Sequence, residues 1–279
     1  MPELPEVETV RRAIAPVLEG ARLEHVEILD ARLVRPFDPV IVAGELLGER
    51  VADVGRRGKY LIVGFDSGRS LLVHLRMTGS LRYAGRGALA DDPHTRAVLR
   101  LDNGSDVAYR DVRRFGTWEL FEHGDLHPYL EARLGPEPLG RLSAAHLGAR
   151  LEGRRAPLKA ALLDQRTIAG LGNIYVDEAL WISGLHPLRI AGSLDAAELG
   201  RLHRAIRGVL RRGIERQGST LRDYAQPDGS YGSMQDEFRA YGRGGEPCDR
   251  CGTPLVRVVV GGRTTTFCPR CQPEGGAAR

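Results

Sequence analysis

The tightest constraint in this chain lies near its end, where all four cysteines fall in the pattern Cys248-x2-Cys251-x16-Cys268-x2-Cys271. Two close pairs at this separation match a tetrahedral four-thiolate zinc site. The other use of four cysteines, as disulfides, belongs to an oxidising compartment, and no charged-then-apolar signal segment opens the chain. Four thiolates fill a tetrahedral Zn2+, so a site of this kind holds structure and leaves no open position for catalysis. Between the two pairs, residues 255–267 read as a β-hairpin, with Gly261-Gly262 at its tip and Arg263 just after.

The other end is equally particular. Val7, Val10, Ile14, Val17 and Leu18 recur at the spacing of an amphipathic helix. Pro5 suits its first turn and Gly20 its stop. Pro16 lies inside the pattern and predicts a kink or break near Ala15. A small second residue such as Pro2 suits removal of the initiator Met, which would leave a free secondary amine beside the Glu3 carboxylate. A terminal amine titrates near about 7.7–8, against about 10.4 for lysine, and the helix N-terminus behind it disfavours the ammonium further. Such an amine can attack a carbonyl-like carbon and form an iminium. The plainer reading is an ordinary exposed terminus with an N-capping carboxylate.

Between the ends, the apolar pattern changes once. Residues 23–29, 46–54, 60–65, 70–75, 96–101, 106–109 and 117–121 are short β-rich runs, with Asp66-Ser67-Gly68 and Asp102-Asn103-Gly104-Ser105 as turns. They predict a sandwich or barrel over residues 1–133. After the Gly- and Pro-rich stretch 134–140 the spacing becomes helical at 143–151, 157–164, 173–183 and 195–217, with Asp195 and Glu198 as a capping box. The expected division is therefore 1–133, 134–240 and 241–279, an α+β multidomain chain. With 279 residues it is long enough for two real cores. Its net charge of +4 comes largely through arginine pairs such as Arg56-Arg57, Arg113-Arg114 and Arg154-Arg155. These suit a polyanion, although such pairs are also ordinary solvated surface. No apolar run is long enough for a membrane span, so a soluble, cytoplasmic protein is expected.

Individual segments remain ambiguous by themselves. The turn Gly170-Leu171-Gly172-Asn173 into a helix can hold a phosphate on its backbone N–H groups, or can be a tight helix–helix turn. Lys59 at the start of a strand can be an edge lysine or an acid–base group. The loop 111–116, with Arg113, Arg114 and Phe115, could fill a gap in a base stack. His74, His146 and His203 have no ligand partners at useful spacing and read as structural.

Taken in order, these segments resemble the formamidopyrimidine-DNA glycosylase family, which includes the endonuclease VIII relatives. The likeness runs through Met-Pro-Glu-Leu-Pro-Glu-Val-Glu-Thr at 1–9, Arg56-Arg57-Gly58-Lys59-Tyr60-Leu61, His74-Leu75-Arg76-Met77-Thr78-Gly79 and Arg113-Arg114-Phe115-Gly116. It continues through Leu163-Asp164-Gln165, Gly172-Asn173-Ile174-Tyr175, Tyr241-Gly242-Arg243 and the cysteine tail. The resemblance implies an N-terminal helix and β-sandwich, a helix-two-turn-helix domain, a C-terminal zinc finger, and a monomer that binds double-stranded DNA containing oxidised bases or abasic sites in a cleft between two lobes. It implies a bacterial protein of the nucleoid that flips the damaged nucleotide out of the stack. Pro2 would attack the sugar C1′ and form the Schiff base, and Glu3 would act as general acid. Lys59 would assist β-elimination and Arg263 δ-elimination. Met77, Arg113 and Phe115 would fill the vacated stack. His94, Arg154, Lys159 and Asn173, with Arg114 beside them, would contact phosphates or line the site.

Arg154 departs from the lysine common in the family but keeps the charge. Leu4 and Glu6-Val7-Glu8-Thr9 resemble the formamidopyrimidine branch, and residues 224–235 resemble the loop that caps a flipped oxidised purine. Oxidised purines are therefore the expected substrate, opposite C if Arg113 reads the widowed base. The alternatives are an endonuclease VIII-like enzyme for oxidised pyrimidines and a non-catalytic zinc-ribbon binder of damaged DNA.

Overall fold

The computed structural model describes residues 1–220 and 226–274. The chain forms two compact units, residues 1–132 with 216–233 and residues 133–215 with 234–279.

In the first unit, helix α1 (Leu4–Leu18) buries Val7, Val10 and Ile14 completely against the sandwich core. The backbone N–H of Glu3 donates to the Glu6 carboxylate at 2.9 Å, which fixes the helix start. The expected break at Ala15 does not occur, and α1 runs unbroken to Leu18. Pro16 lies in the last turn, so it removes one ladder bond only, and Glu19 N–H closes the end on the Ala15 carbonyl.

Eight strands follow: β1 (Leu23–Ile28), β2 (Val51–Arg57), β3 (Tyr60–Phe65), β4 (Ser70–His74), β5 (Gly79–Gly85), β6 (Thr95–Leu101), β7 (Ser105–Asp111) and β8 (Thr117–Phe121). They pair antiparallel in two four-stranded sheets, β1-β6-β7-β5 and β2-β3-β4-β8. Alternate residues such as Leu61, Val63 and Phe65 point into one core shared with α1. Helix α2 (Pro39–Leu46) occupies the stretch just before β2, so the strand expected from residue 46 begins only at Val51. Its β-branched residues hide a helix that Asp38 starts by accepting from Val40 N–H at 2.8 Å. Strand β5 was also not legible, because an edge strand paired to β7 alone carries little apolar alternation. A short helix, α3 (Leu126–Glu131), ends this part.

The second unit contains α4 (Ala144–Leu151), α5 (Leu158–Leu163), α6 (Asn173–Ser183) and α7 (Ala196–Glu215). All four fall where the apolar spacing predicts them. Asp195 and Glu198 form the expected reciprocal cap, at 3.0 and 2.8 Å. Strands β9 (Val256–Val260) and β10 (Arg263–Phe267) pair across Gly261 and Gly262, both at positive φ, as in a type I′ hairpin. No helix among the described residues is long and apolar enough to cross a membrane.

Candidate functional site

The start of α1 is enclosed by charge. Pro2, Glu3, Glu6 and Lys59 are all buried. Lys59 is carried there by the tight turn between β2 and β3, in which Gly58 has positive φ. The terminal amine, here on Met1, titrates below its ordinary value. Burial is the main cause, Glu3 and Glu6 oppose it, and Lys59 and Arg113 reinforce it. The structure therefore brings Lys59 and Arg113 within electrostatic reach of the terminus, which supports a free-base amine. Glu6 escaped the sequence reading as a site residue, although its position three residues after Glu3 is a capping signal. Besides Glu3 N–H, it accepts from Ser219 N–H at 2.8 Å and Ser219 Oγ at 3.1 Å. Ser219 is thereby tied to the helix start. Of the loop expected at 224–235, Tyr224 and Ala225 lie outside the described residues, and Gln226-Pro227-Asp228-Gly229 forms a turn closed by Gly229 N–H on the Gln226 carbonyl.

Arg56, one of the basic pairs, faces inward. It joins Arg11 and Arg12 around Glu8. Burial raises the Glu8 pKa, but these guanidiniums outweigh it and bring the carboxyl down to about 2.

Met77, Arg113 and Phe115 are exposed on one loop system of the first unit. The Arg113 guanidinium stacks 4.8 Å from the Phe115 ring centroid. Asp111, at the end of β7 and buried, pins both loops, accepting from the Thr78 hydroxyl and from the backbone N–H groups of Arg113 and Gly116. A Cβ on Gly116 would fall 1.7 Å from the Tyr109 hydroxyl, and one on Gly79 2.3 Å from it. Close approach to that buried ring requires glycine at both places. His94 lies nearby on the preceding loop, half-buried, with its carbonyl accepting from Asp111 N–H.

Arg114 has positive φ and turns back to Asp30, which accepts from its Nε at 2.5 Å and Nη2 at 2.8 Å. It braces the loop that carries Arg113 and Phe115. The Arg114 hydrogen bond outweighs burial and holds the Asp30 carboxyl down to about 2. A carboxylate with a depressed pKa contributes stability above its ordinary range near 4 and loses it as pH falls toward 2. Arg114→Met is therefore expected to lower stability at pH 7, by an amount that solvent screening of the exposed guanidinium limits. Urea unfolding should show that difference at pH 7 and its disappearance between about pH 4 and 2.

In the second unit, Gln165 braces the Gly-rich turn, accepting from Gly170 N–H and donating to the Leu163 and Leu171 carbonyls. Asn173 opens α6, and its Nδ2 donates to the Thr264 carbonyl at 3.0 Å. Lys159 donates to the same carbonyl at 3.1 Å and to Asp177 at 2.6 Å, and is completely buried. The sequence reading has Lys159 contacting phosphate or lining the site; the structure gives its ammonium to the strand that starts with Arg263. Asp177, with its other oxygen, accepts from Thr266 N–H at 3.1 Å. Its pKa is raised by burial to about 6 despite Lys159. Arg263 itself is exposed at the hairpin tip, and Arg154 is half-buried with Asp164 at 3.1 Å.

The sulfurs of Cys248, Cys251, Cys268 and Cys271 lie within 4.8 Å of one another, with 3.5 Å between Cys251 and Cys268 and 4.0 Å between Cys248 and Cys271. Zn–S bonds of about 2.3 Å at a tetrahedral centre require sulfurs roughly 3.8 Å apart, so the four thiolates fit one structural Zn2+. No disulfide joins them. Trp181 Nε1 donates to Cys248 Sγ at 3.4 Å, a second contact that orients this thiolate.

Comparison with known proteins agrees along the whole chain. The model of the formamidopyrimidine-DNA glycosylase N-terminal domain matches residues 1–118, that of the formamidopyrimidine-DNA glycosylase H2TH domain residues 134–225, and a zinc finger found in FPG and IleRS residues 245–273. The formamidopyrimidine-DNA glycosylase of Symbiobacterium thermophilum is 48% identical over 98% of this chain and 90% of its own length. That of Cereibacter sphaeroides is 47% identical over 98% and 100%. Among solved structures, a variant of the Lactococcus lactis FPG bound to Fapy-dG-containing DNA superposes with a TM-score of 0.91, at 37% identity, over 98% of this chain and 100% of its own. The MutM (FPG) protein of Thermus thermophilus gives 0.87 at 44% identity over the same shares. With identity of this level over nearly its full length, the chain belongs to the formamidopyrimidine-DNA glycosylase family.

Proposed function

We propose that this chain is a bifunctional DNA glycosylase and abasic-site lyase for oxidised purines, 8-oxoguanine and formamidopyrimidines, acting in the bacterial cytoplasm on the nucleoid. The observation that carries the reading is the start of α1, where buried Pro2, Glu3 and Lys59 meet behind an exposed Met1 and the terminal amine titrates below its ordinary value. In the reaction the Pro2 nitrogen, freed by loss of Met1, forms a bond to the sugar C1′ as the glycosidic bond breaks. Glu3 supplies a proton at the sugar, and the base leaves. The resulting iminium acidifies the C2′ hydrogen, so positioned acids and bases suffice for β-elimination, with Lys59 in that role. Arg263 serves the δ-elimination that completes the gap.

Flipping requires something to occupy the vacated stack. Met77, Arg113 and Phe115 suit that purpose, since they are exposed on loops fixed from beneath by Asp111. His94, Arg154 and Asn173 serve register on the backbone, and Lys159 supports the hairpin. The four cysteines hold Zn2+, which keeps that hairpin folded and takes no part in the chemistry.

Borohydride trapping on a duplex with 8-oxoguanine opposite C, beside a thymine-glycol duplex, tests this. The parallel duplex is needed because a similar structure, the Lactococcus lactis FPG, is a complex with oxidised-pyrimidine DNA. Faster trapping on 8-oxoguanine is expected. Trapping only on thymine glycol would assign the pyrimidine branch, and no adduct with Pro2 confirmed free would leave a DNA binder without chemistry.

A further inference from the structure

The second unit contains a cavity of about 490 Å3 that the glycosylase reading does not use. It lies along the middle of α7, against the C-terminal end of α6 and residues 234–239. Its volume is within the range of ligand sites. The floor is apolar, formed by Trp181, Ala205, Val209 and Met234, with Ile182 41% exposed at the edge. Trp181 is held still there, since Arg250 stacks 3.9 Å from its ring centroid and donates to its carbonyl.

The rim is cationic in a particular way. Arg201, Arg204, Gly208 and Arg212 follow at spacings of three and four, so they share one stripe of α7. Arg212 is engaged by Glu237 and Glu215, and Arg239 by Asp249. Arg201 and Arg204 have no carboxylate partner among the described residues. Gly208 is exposed, and a Cβ there would meet nothing within 4 Å. The stripe thus has two guanidiniums without a carboxylate partner among the described residues, with a gap in the side-chain wall between them and Arg212. The floor beside them is apolar apart from Glu178, whose carboxylate is taken by the backbone N–H groups of residues 239–241.

We infer that this groove binds an acidic peptide segment of a partner protein through one or two large apolar side chains and the carboxylates that flank them. From Arg201 to Arg212 the stripe runs about 16 Å along the helix, the length of roughly five extended residues and longer than a small metabolite. Carboxylates match the open guanidiniums, while Trp181, Val209 and Met234 offer no purpose for a phosphodiester backbone. The groove also lies at the opposite end of α6 from Asn173, about nine residues or 13 Å along the axis.

The test uses a fluorescein-labelled acetyl-Asp-Glu-Asp-Asp-Leu-Phe peptide and the zinc-loaded full chain. Anisotropy should show saturable, salt-sensitive binding, with quenching of tryptophan emission that persists in a Trp118→Phe background, where Trp181 is the one tryptophan left. The double variant R201E/R204E should weaken binding about tenfold or more. Gly208→Phe, at a site with room for it, should block binding by filling the groove. Both proteins should keep parental borohydride trapping on the 8-oxoguanine duplex. Absence of binding, equal binding by a peptide with Lys in place of the acids, or unchanged binding by both variants would overturn the proposal. Loss of duplex trapping in R201E/R204E would overturn it as well, by giving the stripe to DNA.

Discussion

Glu3→Gln and Lys59→Met are expected to move the acid limb of borohydride trapping in opposite directions. The terminal amine loses its proton more readily than a free one because it is buried, and the surrounding charges then adjust that shift. Glu3 stabilises the ammonium, so its neutralisation should lower the amine pKa further and carry the limb to lower pH. Lys59 destabilises the ammonium, so Lys59→Met should raise the limb toward the ordinary value of about 8. Only the unprotonated amine can attack, and trapping on a preformed abasic site isolates this step from base release. On an 8-oxoguanine duplex, Glu3→Gln should in addition reduce base excision by about 10^2 to 10^4, the usual size of a positioned acid's contribution. The measurement is single-turnover trapping from pH 5 to 9 with both substrates, the N-terminal residue checked by mass. Two variants shifting together would remove the electrostatic account of the terminus; unchanged excision by Glu3→Gln would remove Glu3 as the acid.

The main elements of both units were legible because burial imposes a period. The four helices of the second unit and the α1 stripe follow from spacing, and the hairpin follows from Gly261-Gly262 and the cysteine knuckles. What stayed hidden is set by partners distant in sequence. Strand β5 exists because β7 lies beside it. Asp111, Glu6 and Arg114 acquire their roles from Thr78, Ser219 and Asp30, which are 33, 213 and 84 residues away. Lys59 could be singled out as a lysine after glycine, but its burial beside the amine depends on the β2–β3 turn meeting the start of α1. Pro16 misled the reading because a proline signals a break regardless of how little helix remains after it.

The largest expected loss of stability in the second unit follows from a residue with no signal in its own neighbourhood of the chain. Glu178 is 1% exposed in the middle of α6, and its carboxylate accepts from the backbone N–H groups of Arg239, Ala240 and Tyr241 at 2.8–3.1 Å. Burial raises its pKa, and these three donors restrain the rise. One turn on, Trp181 meets Cys248 Sγ, and one residue before, Asp177 meets Thr266 N–H. Helix α6 is therefore the support on which the zinc ribbon and the Arg263 hairpin are both mounted. Glu178→Ala leaves three backbone donors without their acceptor, Ala240 N–H buried and those of Arg239 and Tyr241 partly so. At about 1–3 kcal/mol for the buried one and about 1 for each of the others, a cost of roughly 3–5 kcal/mol is expected. Glu178→Gln can keep its oxygen at the Oε1 place, which accepts from all three N–H groups, and turns its amide toward Arg239 N–H alone, so it should recover more than half of the loss. Because metal binding and folding of the ribbon are coupled, the variant should also release zinc faster to a colorimetric chelator. Urea unfolding and zinc release measured on the same protein decide the matter. Reduced stability with parental zinc release would mean that Glu178 supports the helices but not the ribbon.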